Sequence, residues 1–337
     1  MTTKYQIINN KSRPSHYHFL LIFSLLSIIF YLLSGSAFAQ KASQVGITVS
    51  PITDEFRLKP GEVISRTIRV INPNDRVITL YPVALDFNTD NENGQPVFFQ
   101  ADDESRSYTL SSWMSFDREF IRVAEAEEEL VKITIAAPAD AEPGGHYGAV
   151  LFSTEKPKLP ETDDAEVSVV GLVGTLYLAT VPGKISEKLE LEQFSLPLIS
   201  FAPPVNTAVI FKNNGNIHLK PRGEIIIKNW SGNQASVIAV NEGNGNVLPE
   251  SRRRFEGSWV YKSLTSFGLY SFNLHATYGS GPAEIIATKK VLVIPIWLLI
   301  LIVAIIGYLL HRLWHRRQNR YLSKEASSNQ ITKRILQ

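Results

Sequence analysis

The chain of 337 residues contains no cysteine. This absence excludes a disulfide framework, a zinc site built on thiolates and a cysteine nucleophile. Without disulfides, the domains of the chain must be stabilised by their own apolar cores. If the chain is exported, this absence favours a bacterial surface over a eukaryotic secreted module.

The sequence also lacks the short motifs that carry much enzyme chemistry. It has no H-E-x-x-H, no G-x-S-x-G, no P-loop and no G-x-G-x-x-G after a strand. Two acidic clusters have the residue types of a glycosidase pair, although such runs are more often solvated surface. These clusters are Asp102, Asp103 and Glu104, and Glu127, Glu128 and Glu129. We predict a protein that is not an enzyme and has no cofactor.

One polar segment is similar to the start of a calcium-binding loop. It contains Asp86, Asn88, Asp90 and Asn91. Such a loop needs glycine at its sixth position and glutamate at its twelfth, whereas this chain has Asn91 and Val97 there. A polar hairpin tip is the better interpretation, and we predict no metal site.

Sustained helical periodicity is missing from the middle of the chain. Short segments rich in β-branched residues recur there, separated by turn residues. The spacing predicts an all-β fold with two tandem immunoglobulin-like β-sandwiches, over residues 40–193 and 194–290. We place the boundary where the charge balance changes sign. The first segment has 14 Lys and Arg against 26 Asp and Glu, and the second has 10 against 5.

Proline and glycine mark two turns in the first segment. Lys59-Pro60-Gly61 places proline where φ is fixed and glycine where φ can be positive. Pro143-Gly144-Gly145 precedes a run of apolar residues. We predict structural roles for both turns.

The strongest single feature is an uncharged apolar run at residues 291–310. About 20 residues with a rise of 1.5 Å span roughly 30 Å, which is the thickness of a bilayer's hydrocarbon core. We predict one transmembrane helix, because a helix satisfies its own backbone in lipid. The basic tail at residues 311–337 carries Arg312, Arg316 and Arg317. Lysine and arginine beside a membrane helix favour the cytoplasmic side, so we predict a cytoplasmic tail, with the bulk of the chain extracellular or periplasmic.

Residues 1–39 are predicted to form a secretory signal peptide. Lys4, Lys11 and Arg13 precede an apolar segment, and Ala37-Phe38-Ala39 gives an A-x-A site, with Ala37 and Ala39 at the two small positions. An uncleaved anchor is the alternative. Both interpretations export the middle of the chain, and cleavage after Ala39 would make a single-pass protein.

Candidate binding residues are few. Arg252, Arg253 and Arg254 have the charge to contact phosphate or an anionic wall polymer, and the alternative is that they are solvated charges beside a sheet. The exported tryptophans are Trp113, Trp230 and Trp259. Tryptophans can stack on sugars, but one buried tryptophan per sandwich is the commoner use. Outside the cell, nucleic acid is not an expected partner.

Four segments together resemble the peptidoglycan-binding domain of the WxL-interacting proteins. They are GITVSP, FRLKPGEVISRTIRVINPND, LSSWMSF and APADAEPGGHYGAVLF, within residues 46–181. The resemblance implies tandem immunoglobulin-like domains, a signal peptide, one membrane helix and a short basic tail. It also implies peptidoglycan as a partner, structural roles for both turns and a core or corner position for Tyr147. Residues 194–290 do not clearly match the family's host-binding domain.

We predict a membrane-anchored surface protein that binds wall glycan or another surface protein through its β-sandwich domains. One alternative is a chaperone-like accessory protein that pairs an edge strand with secreted subunits. The other alternative is a carbohydrate-active enzyme, for which the acidic clusters are the only candidates.

Overall fold

The computed structural model describes residues 46–89, 91–100, 107–156, 173–262, 265–281 and 283–335, with side chains described through residue 317. The predicted signal peptide at residues 1–39 lies outside the described residues, as do Asp90 and the cluster Asp102, Asp103 and Glu104. Within the described part, strands are followed by one α-helix at the carboxyl end. This confirms the predicted mostly β architecture with a C-terminal apolar helix.

The described part of residues 46–181, the first β region, contains ten strands. They are β1 (Thr48–Ser50), β2 (Thr53–Arg57), β3 (Val63–Ile71), β4 (Ile78–Asn88), β5 (Val97–Phe99), β6 (Met114–Phe116), β7 (Ile121–Val123), β8 (Glu128–Ala136), β9 (Gly144–Ser153) and β10 (Val173–Val181). One sheet has the order β1-β3-β8-β6 and the other has the order β2-β10-β9-β4-β5, with β7 paired to β4. Every residue of β9 is buried, because β10 and β4 flank this strand.

In residues 189–293, the second β region, eight strands are described. They are β11 (Leu189–Ser195), β12 (Ile199–Ser200), β13 (Val205–Asn213), β14 (Arg222–Lys228), β15 (Gln234–Val240), β16 (Arg252–Trp259), β17 (Gly268–Tyr278) and β18 (Ala283–Val293). They form a sheet of order β11-β13-β16 and a sheet of order β12-β18-β17-β14-β15. The two sheets share one apolar core, in which Phe211 of the first sheet and Phe272 of the second are fully buried.

The predicted boundary between residues 193 and 194 falls inside β11. This strand pairs with β13 from Leu189 to Ser195, so both sides of the predicted boundary belong to the second β region. The charge balance changes sign where Glu190 and Glu192 end an acidic stretch. The charge balance depends on the side chains of the exposed face of a strand. It therefore does not locate the residue at which the pairing of the second β region begins.

Two buried asparagines stabilise equivalent loops, one in each β region. The Asn72 amide donates to the carbonyls of Arg76, Val123 and Ala124 at 2.7, 3.1 and 2.9 Å. The Asn213 amide donates to the carbonyls of Ile217 and Val247, both at 2.8 Å. Each asparagine lies at the end of a long strand and satisfies carbonyls that a loop would otherwise leave without partners.

The carboxyl-terminal helix, α1, comprises Ile296–Ile335. A stretch of 22 residues within it, Ile296–Arg317, is not buried inside the protein and is long and apolar enough to cross a membrane. Helix α1 begins five residues later than the predicted span, because Val291 and Val293 are buried core residues of β18. An apolar run alone does not distinguish a buried strand from a membrane helix. Pro295, which has no N–H to donate, precedes the helix, and its carbonyl accepts from the Leu298 amide at 2.9 Å.

Candidate binding cleft

The two β regions meet at an apolar contact centred on Leu248. Its side chain extends from the second β region and is 5% exposed. It belongs to one apolar cluster with Phe87, Tyr147 and Leu178 of the first β region. Burial of a leucine side chain contributes about 1.5–3 kcal/mol relative to exposure in water. This residue therefore holds the two regions together.

Asn216 fixes the same junction through backbone groups. Its carbonyl accepts from the Gly145 amide at 2.7 Å. Its side-chain amide donates to the carbonyls of Pro143 and Lys184 at 3.3 and 3.0 Å. Gly144 has φ +142°, and a Cβ at this position would lie 2.9 Å from the Asn216 carbonyl oxygen. The predicted turn Pro143-Gly144-Gly145 is thus a docking point at which glycine permits close backbone approach.

Tyr147 reaches across the junction from the centre of β9. It is 2% exposed, and its ring packs edge-on against Phe87 and His218, with centroids 6.1 and 5.8 Å apart. Its hydroxyl lies 3.4 Å from Nδ1 of His218. Burial lowers the pKa of His218, an effect that Glu55 opposes and Lys220 reinforces. The neutral ring can accept a hydrogen bond from the Tyr147 hydroxyl.

Two ion pairs join the regions at the mouth of the junction. Lys220 donates to Glu55 at 2.7 Å, and the Asn246 amide donates to the same carboxylate at 2.8 Å. Burial alone would raise the pKa of Glu55, but these hydrogen bonds and the Lys220 charge outweigh it and lower the pKa. Arg254 donates twice to Glu92, at 2.5 and 3.0 Å, and its backbone amide donates to the Glu92 carbonyl at 2.6 Å.

Two cavities flank Leu248 and Phe87, which line both of them. One has a volume of 470 Å³ and is lined further by Tyr108, Tyr147 and Glu250. The other has a volume of 560 Å³, and its lining includes Glu55, Leu176, Leu178, Lys220, Gly245, Asn246 and Arg253. We call the larger cavity the cleft. Its size suits a few amino-acid side chains, within the usual range of ligand sites.

Arg253 is a half-buried cation that no described carboxylate neutralises. Its Nη1 donates to the Asn246 carbonyl at 2.7 Å, and its guanidinium carbon lies 5.7 Å from the Phe255 ring centroid. A Cβ on Gly94 or Gly245 would lie 2.6 or 2.5 Å from the guanidinium carbon, so both glycines allow the group its position. Burial lowers the pKa of Arg253. A planar guanidinium with donors to spare is suited to a carboxylate or a phosphate.

Asn246 supplies an unsatisfied acceptor beside this cation. Its Oδ1 is buried and accepts no hydrogen bond from any described residue. The bond from its amide nitrogen to Glu55 fixes which side-chain atom is the oxygen. A buried acceptor without a partner costs on the order of 1–3 kcal/mol. Asn246 therefore lines the cleft beside the cation, with its own Oδ1 enclosed by the protein.

Backbone strain occurs on both sides of the smaller cavity. Tyr108 has φ 68° and Glu250 has φ 61°, both in the left-handed region that non-glycine residues rarely adopt. The Tyr108 carbonyl accepts from the Tyr147 amide at 2.7 Å, which helps hold this conformation. Burial raises the pKa of Tyr108, and Glu250 and Glu142 raise it further. Strained residues of this kind concentrate at binding sites.

No family model matches the chain and no curated protein does. Among solved structures, the class 5 fimbriae chaperone CfaA is 13% identical, with a TM-score of 0.35 over 72% of this chain and 99% of that one. A chain of the CsuC–CsuE chaperone–tip adhesion subunit complex of Acinetobacter baumannii is 12% identical, with a TM-score of 0.34 over 74% and 99%. The periplasmic chaperone SfaE is 12% identical, with a TM-score of 0.32 over 74% and 100%. TM-scores this low carry no argument about function.

The predicted arginine cluster is divided between two environments. Arg252 pairs with Glu192 at 2.9 Å and Arg254 pairs with Glu92, whereas Arg253 faces the cleft. Alternation along β16 explains the division, because successive side chains point to opposite faces of a strand. Of the three arginines, Arg253 is therefore the one that has no acidic partner among the described residues and remains available to a ligand.

The turn Lys59-Pro60-Gly61 does not line the cleft, and its role is to reverse the chain between two strands. The Glu62 amide donates to the Lys59 carbonyl at 3.0 Å, Gly61 has φ +74°, and the Lys59 amide donates to the Glu62 carboxylate at 2.8 Å. This is the geometry that proline followed by glycine favours. The turn connects β2 to β3.

Other predicted residues have contacts of their own. Asp86 is buried, and its carboxylate accepts from the amides of Leu110 and Ser111 at 2.7 and 2.8 Å, so it stabilises the 3₁₀ turn at Ser111–Trp113. In the acidic run, Glu129 accepts from Arg118 at 2.7 Å. Within α1 lie Arg312, Arg316 and Arg317.

The three tryptophans have different surroundings. Trp113 packs against His146 with ring centroids 4.4 Å apart, and Trp259 is buried in the core of the second β region. Trp230 is 75% exposed. The expectation of one buried tryptophan per sandwich does not describe Trp230, which occupies the exposed turn between β14 and β15.

Several residues of the cleft and of the junction were missed from the sequence. They are Glu55, Asn216, His218, Lys220, Asn246 and Leu248. Asn216 and Asn246 belong to two loops rich in asparagine and glycine, at residues 213–216 and 243–246. That composition indicates turns, but it does not indicate which turns face a neighbouring region.

Proposed function

We propose that the chain is a membrane-anchored, non-enzymatic binding protein of a bacterial surface, which holds an acidic segment of a protein partner in the cleft. In this proposal the two β regions are immunoglobulin-like sandwiches, α1 crosses the membrane once, and the basic tail is cytoplasmic. The resemblance to WxL-interacting proteins supports the same arrangement. The exposed apolar surface of α1 supports the anchor, because none of the candidate span is buried inside the protein.

The observation that carries the proposal is the pairing of Arg253 with Asn246 in the cleft. The guanidinium is half buried, faces a 560 Å³ cavity and has no carboxylate partner among the described residues. Buried charges in proteins are normally paired, so an unpaired one at a cavity is a candidate ligand contact. The unsatisfied Asn246 oxygen is enclosed beside the cleft and would gain a donor from a ligand when its side chain turns towards the cavity.

A peptide supplies both of the missing partners. A carboxylate can accept from Arg253, and a nearby backbone N–H can donate to Asn246. Leu176 and Leu178 line the cleft and can contact an apolar side chain of the same segment. Wall polymers also carry anions and donors, but their hydrophilic sugars supply no large apolar side chain for Leu176 and Leu178. Arg252 and Arg254 are already paired with glutamates, so the motif offers no extended basic surface to a polyanion. A protein partner therefore fits the cleft better than peptidoglycan or an anionic polymer.

The test uses the full chain in lipid nanodiscs with a photo-reactive amino acid in place of Leu176. Cross-linking is measured with the exported proteins of the host and, separately, with its purified cell wall. Arg253→Gln is compared with Arg252→Gln, which removes the same charge from a neighbouring residue that pairs with Glu192. We expect Arg253→Gln to abolish cross-linking to a defined acidic protein segment and Arg252→Gln to leave it intact.

Three results would contradict this function. Equal cross-linking by both variants would show that Arg253 is not the contact. Cross-linking to wall material alone would favour the glycan-binding interpretation. Turnover of the wall material would favour the carbohydrate-active enzyme.

A second candidate function is chaperone-like pairing of an edge strand with a secreted subunit. The observation that favours it is β15, which pairs with β14 on one side and with no described strand on the other. Val237 of β15 is 40% exposed, as expected for a strand that can accept a further neighbour. A peptide of sequence QASVIAV, copied from β15, would compete with partner binding under this mechanism and would have no effect on binding at Arg253.

A further inference from the structure

The second β region has one end that is unusually apolar. Strand pairing places this end unambiguously, because Gly268 at the start of β17 pairs with Val293 at the end of β18. β12 pairs in parallel with the same end of β18, from Ile199 opposite Leu292. The connections after β11, β12, β14 and β16 therefore all lie at the end from which the chain continues into α1. We call it the helix-proximal end.

Among the described residues of these connections, five large apolar side chains are exposed, and we call them the collar. They are Leu198 (83% exposed), Phe201 (43%), Trp230 (75%), Val260 (74%) and Phe267 (57%). Side chains this exposed contribute little to the core of the second β region, and their contact with water is unfavourable. A cluster from four separate connections at one end of a region indicates a surface that contacts something apolar.

The charge of the same connections is one-sided. Residues 196–204, 228–233 and 259–262 contain no aspartate or glutamate, whereas Lys228 and Lys262 lie among them. Lys289 and Lys290 follow on β18. Aromatic and apolar side chains together with lysines match the interfacial layer of a bilayer, where rings lie at the level of the headgroups and cations meet lipid phosphates.

The connection to α1 is too short to keep this end away from lipid. Only Ile294 and Pro295 separate β18 from α1. Two residues span at most about 7 Å. The apolar surface of α1 begins at Ile296, so the short connection keeps the helix-proximal end, with its collar, close to the point at which the helix would enter hydrocarbon.

We infer that the collar is a second membrane contact, which inserts into the headgroup layer of the bilayer that α1 crosses and fixes the orientation of the second β region on it. This inference rests on the membrane anchor of the proposed function. It adds a lipid-binding surface to the β region itself, so that the cleft is held at a fixed height above the bilayer and does not swing on a flexible stalk.

The absence of cysteine makes a direct test possible, because an introduced cysteine can be labelled uniquely. The full chain is reconstituted into vesicles of phosphatidylcholine and phosphatidylglycerol, and one fluorophore is attached per variant. Ser231→Cys places it beside Trp230 in the collar. Glu242→Cys places it at the opposite end of β15, and Leu301→Cys places it on α1. Quenching by nitroxide-labelled lipid and by aqueous iodide is measured for each.

We expect the label at 231 to lose fluorescence with nitroxide-labelled lipid and to be shielded from iodide, and the label at 242 to behave in the opposite way. Replacing Trp230, Val260 and Phe267 together with serine in the Ser231→Cys chain should restore iodide quenching. Lipid quenching at 301 without lipid quenching at 231 would overturn the collar while leaving the anchor in place. No lipid quenching at 301 would overturn both. If neither nitroxide-labelled lipid nor iodide quenched the label at 231, the collar would be in contact with protein, and the inference would be overturned.

Discussion

Replacing Leu248 with alanine should weaken the junction between the two β regions without lowering the stability of either region by itself. The side chain is 5% exposed, and its apolar neighbours Phe87, Tyr147 and Leu178 all belong to the first β region. Truncation of a buried leucine costs about 2–5 kcal/mol, as the transfer free energy of the lost atoms plus the cavity left behind. Because Leu248 itself belongs to the second β region, this loss falls on the contact between the regions.

The Gly145 amide is a local reporter of that contact. It donates to the Asn216 carbonyl at 2.7 Å, across the junction. If opening of the junction becomes easier by 2–5 kcal/mol, amide exchange should accelerate by roughly 30-fold or more, since each 1.4 kcal/mol is about a factor of ten. Hydrogen exchange read by mass spectrometry should show this change in peptides that contain Gly145, with peptides from β17 and β18 unaffected.

Leu274→Ala is the matched control. Leu274 is fully buried, but it lies in the core of the second β region. Its truncation should lower the free energy of unfolding of that region and accelerate exchange throughout β17. If Leu248→Ala left the Gly145 amide protected, or if it accelerated exchange in β17 as Leu274→Ala does, Leu248 would not be the residue that holds the regions together.

Three further substitutions test separate features. Asn213→Ala removes donors to two buried loop carbonyls and should lower the free energy of unfolding by on the order of 3 kcal/mol, whereas Asn214→Ala, at an exposed neighbour, should change it little in chemical denaturation. Gly144→Ala adds a Cβ against the Asn216 carbonyl at φ +142° and should destabilise by about 1–3 kcal/mol, with Gly243→Ala, which has open space, as the control. The pKa of His218 is lowered in the folded chain by burial, so its contribution to stability is present above the unfolded value of 6.5 and is lost as pH falls below it. Thermal unfolding should therefore show a smaller decrease from neutral to mildly acidic pH for His218→Phe than for the wild type, and equal slopes would contradict the assignment.

The strands and turns were largely predictable because local chemistry determines them. Lys59-Pro60-Gly61 forms the expected turn, with glycine at positive φ. The alternation of β3 and the apolar run of β9 are patterns that strands with one or two buried faces produce. The carboxyl-terminal helix was predictable from its length and apolar composition, but its first residue was not. Val291 and Val293 are as apolar as membrane residues and are buried in a sheet core.

The cleft was not predictable, because it depends on which side of a strand meets a distant loop. Arg252, Arg253 and Arg254 are identical in the sequence, and strand alternation alone separates them into two groups. Only the approach of Glu92 and Glu192 shows which two arginines are neutralised. Asn246 likewise looks like an ordinary turn residue. Its oxygen is unsatisfied because its amide nitrogen is oriented toward Glu55, 191 positions earlier in the chain.

Salt should act differently on the junction and on the cleft. The pairs Lys220–Glu55 and Arg254–Glu92 are about one-third exposed. Exposed pairs contribute about 0–1 kcal/mol each and are screened at high ionic strength. The apolar burial of Leu248 is not screened, so the regions should stay docked in salt. A ligand carboxylate at Arg253 depends on charge and should bind more weakly.

The two responses can be measured on one sample. Between low and molar sodium chloride, exchange of the Gly145 amide should be unchanged, while partner cross-linking at Leu176 should decrease. Loss of Gly145 protection in salt would mean that ion pairs, and not Leu248, dominate the junction. Cross-linking that is indifferent to salt would remove Arg253 as the main contact, since a half-buried guanidinium reached by ligand from solvent has to respond to screening.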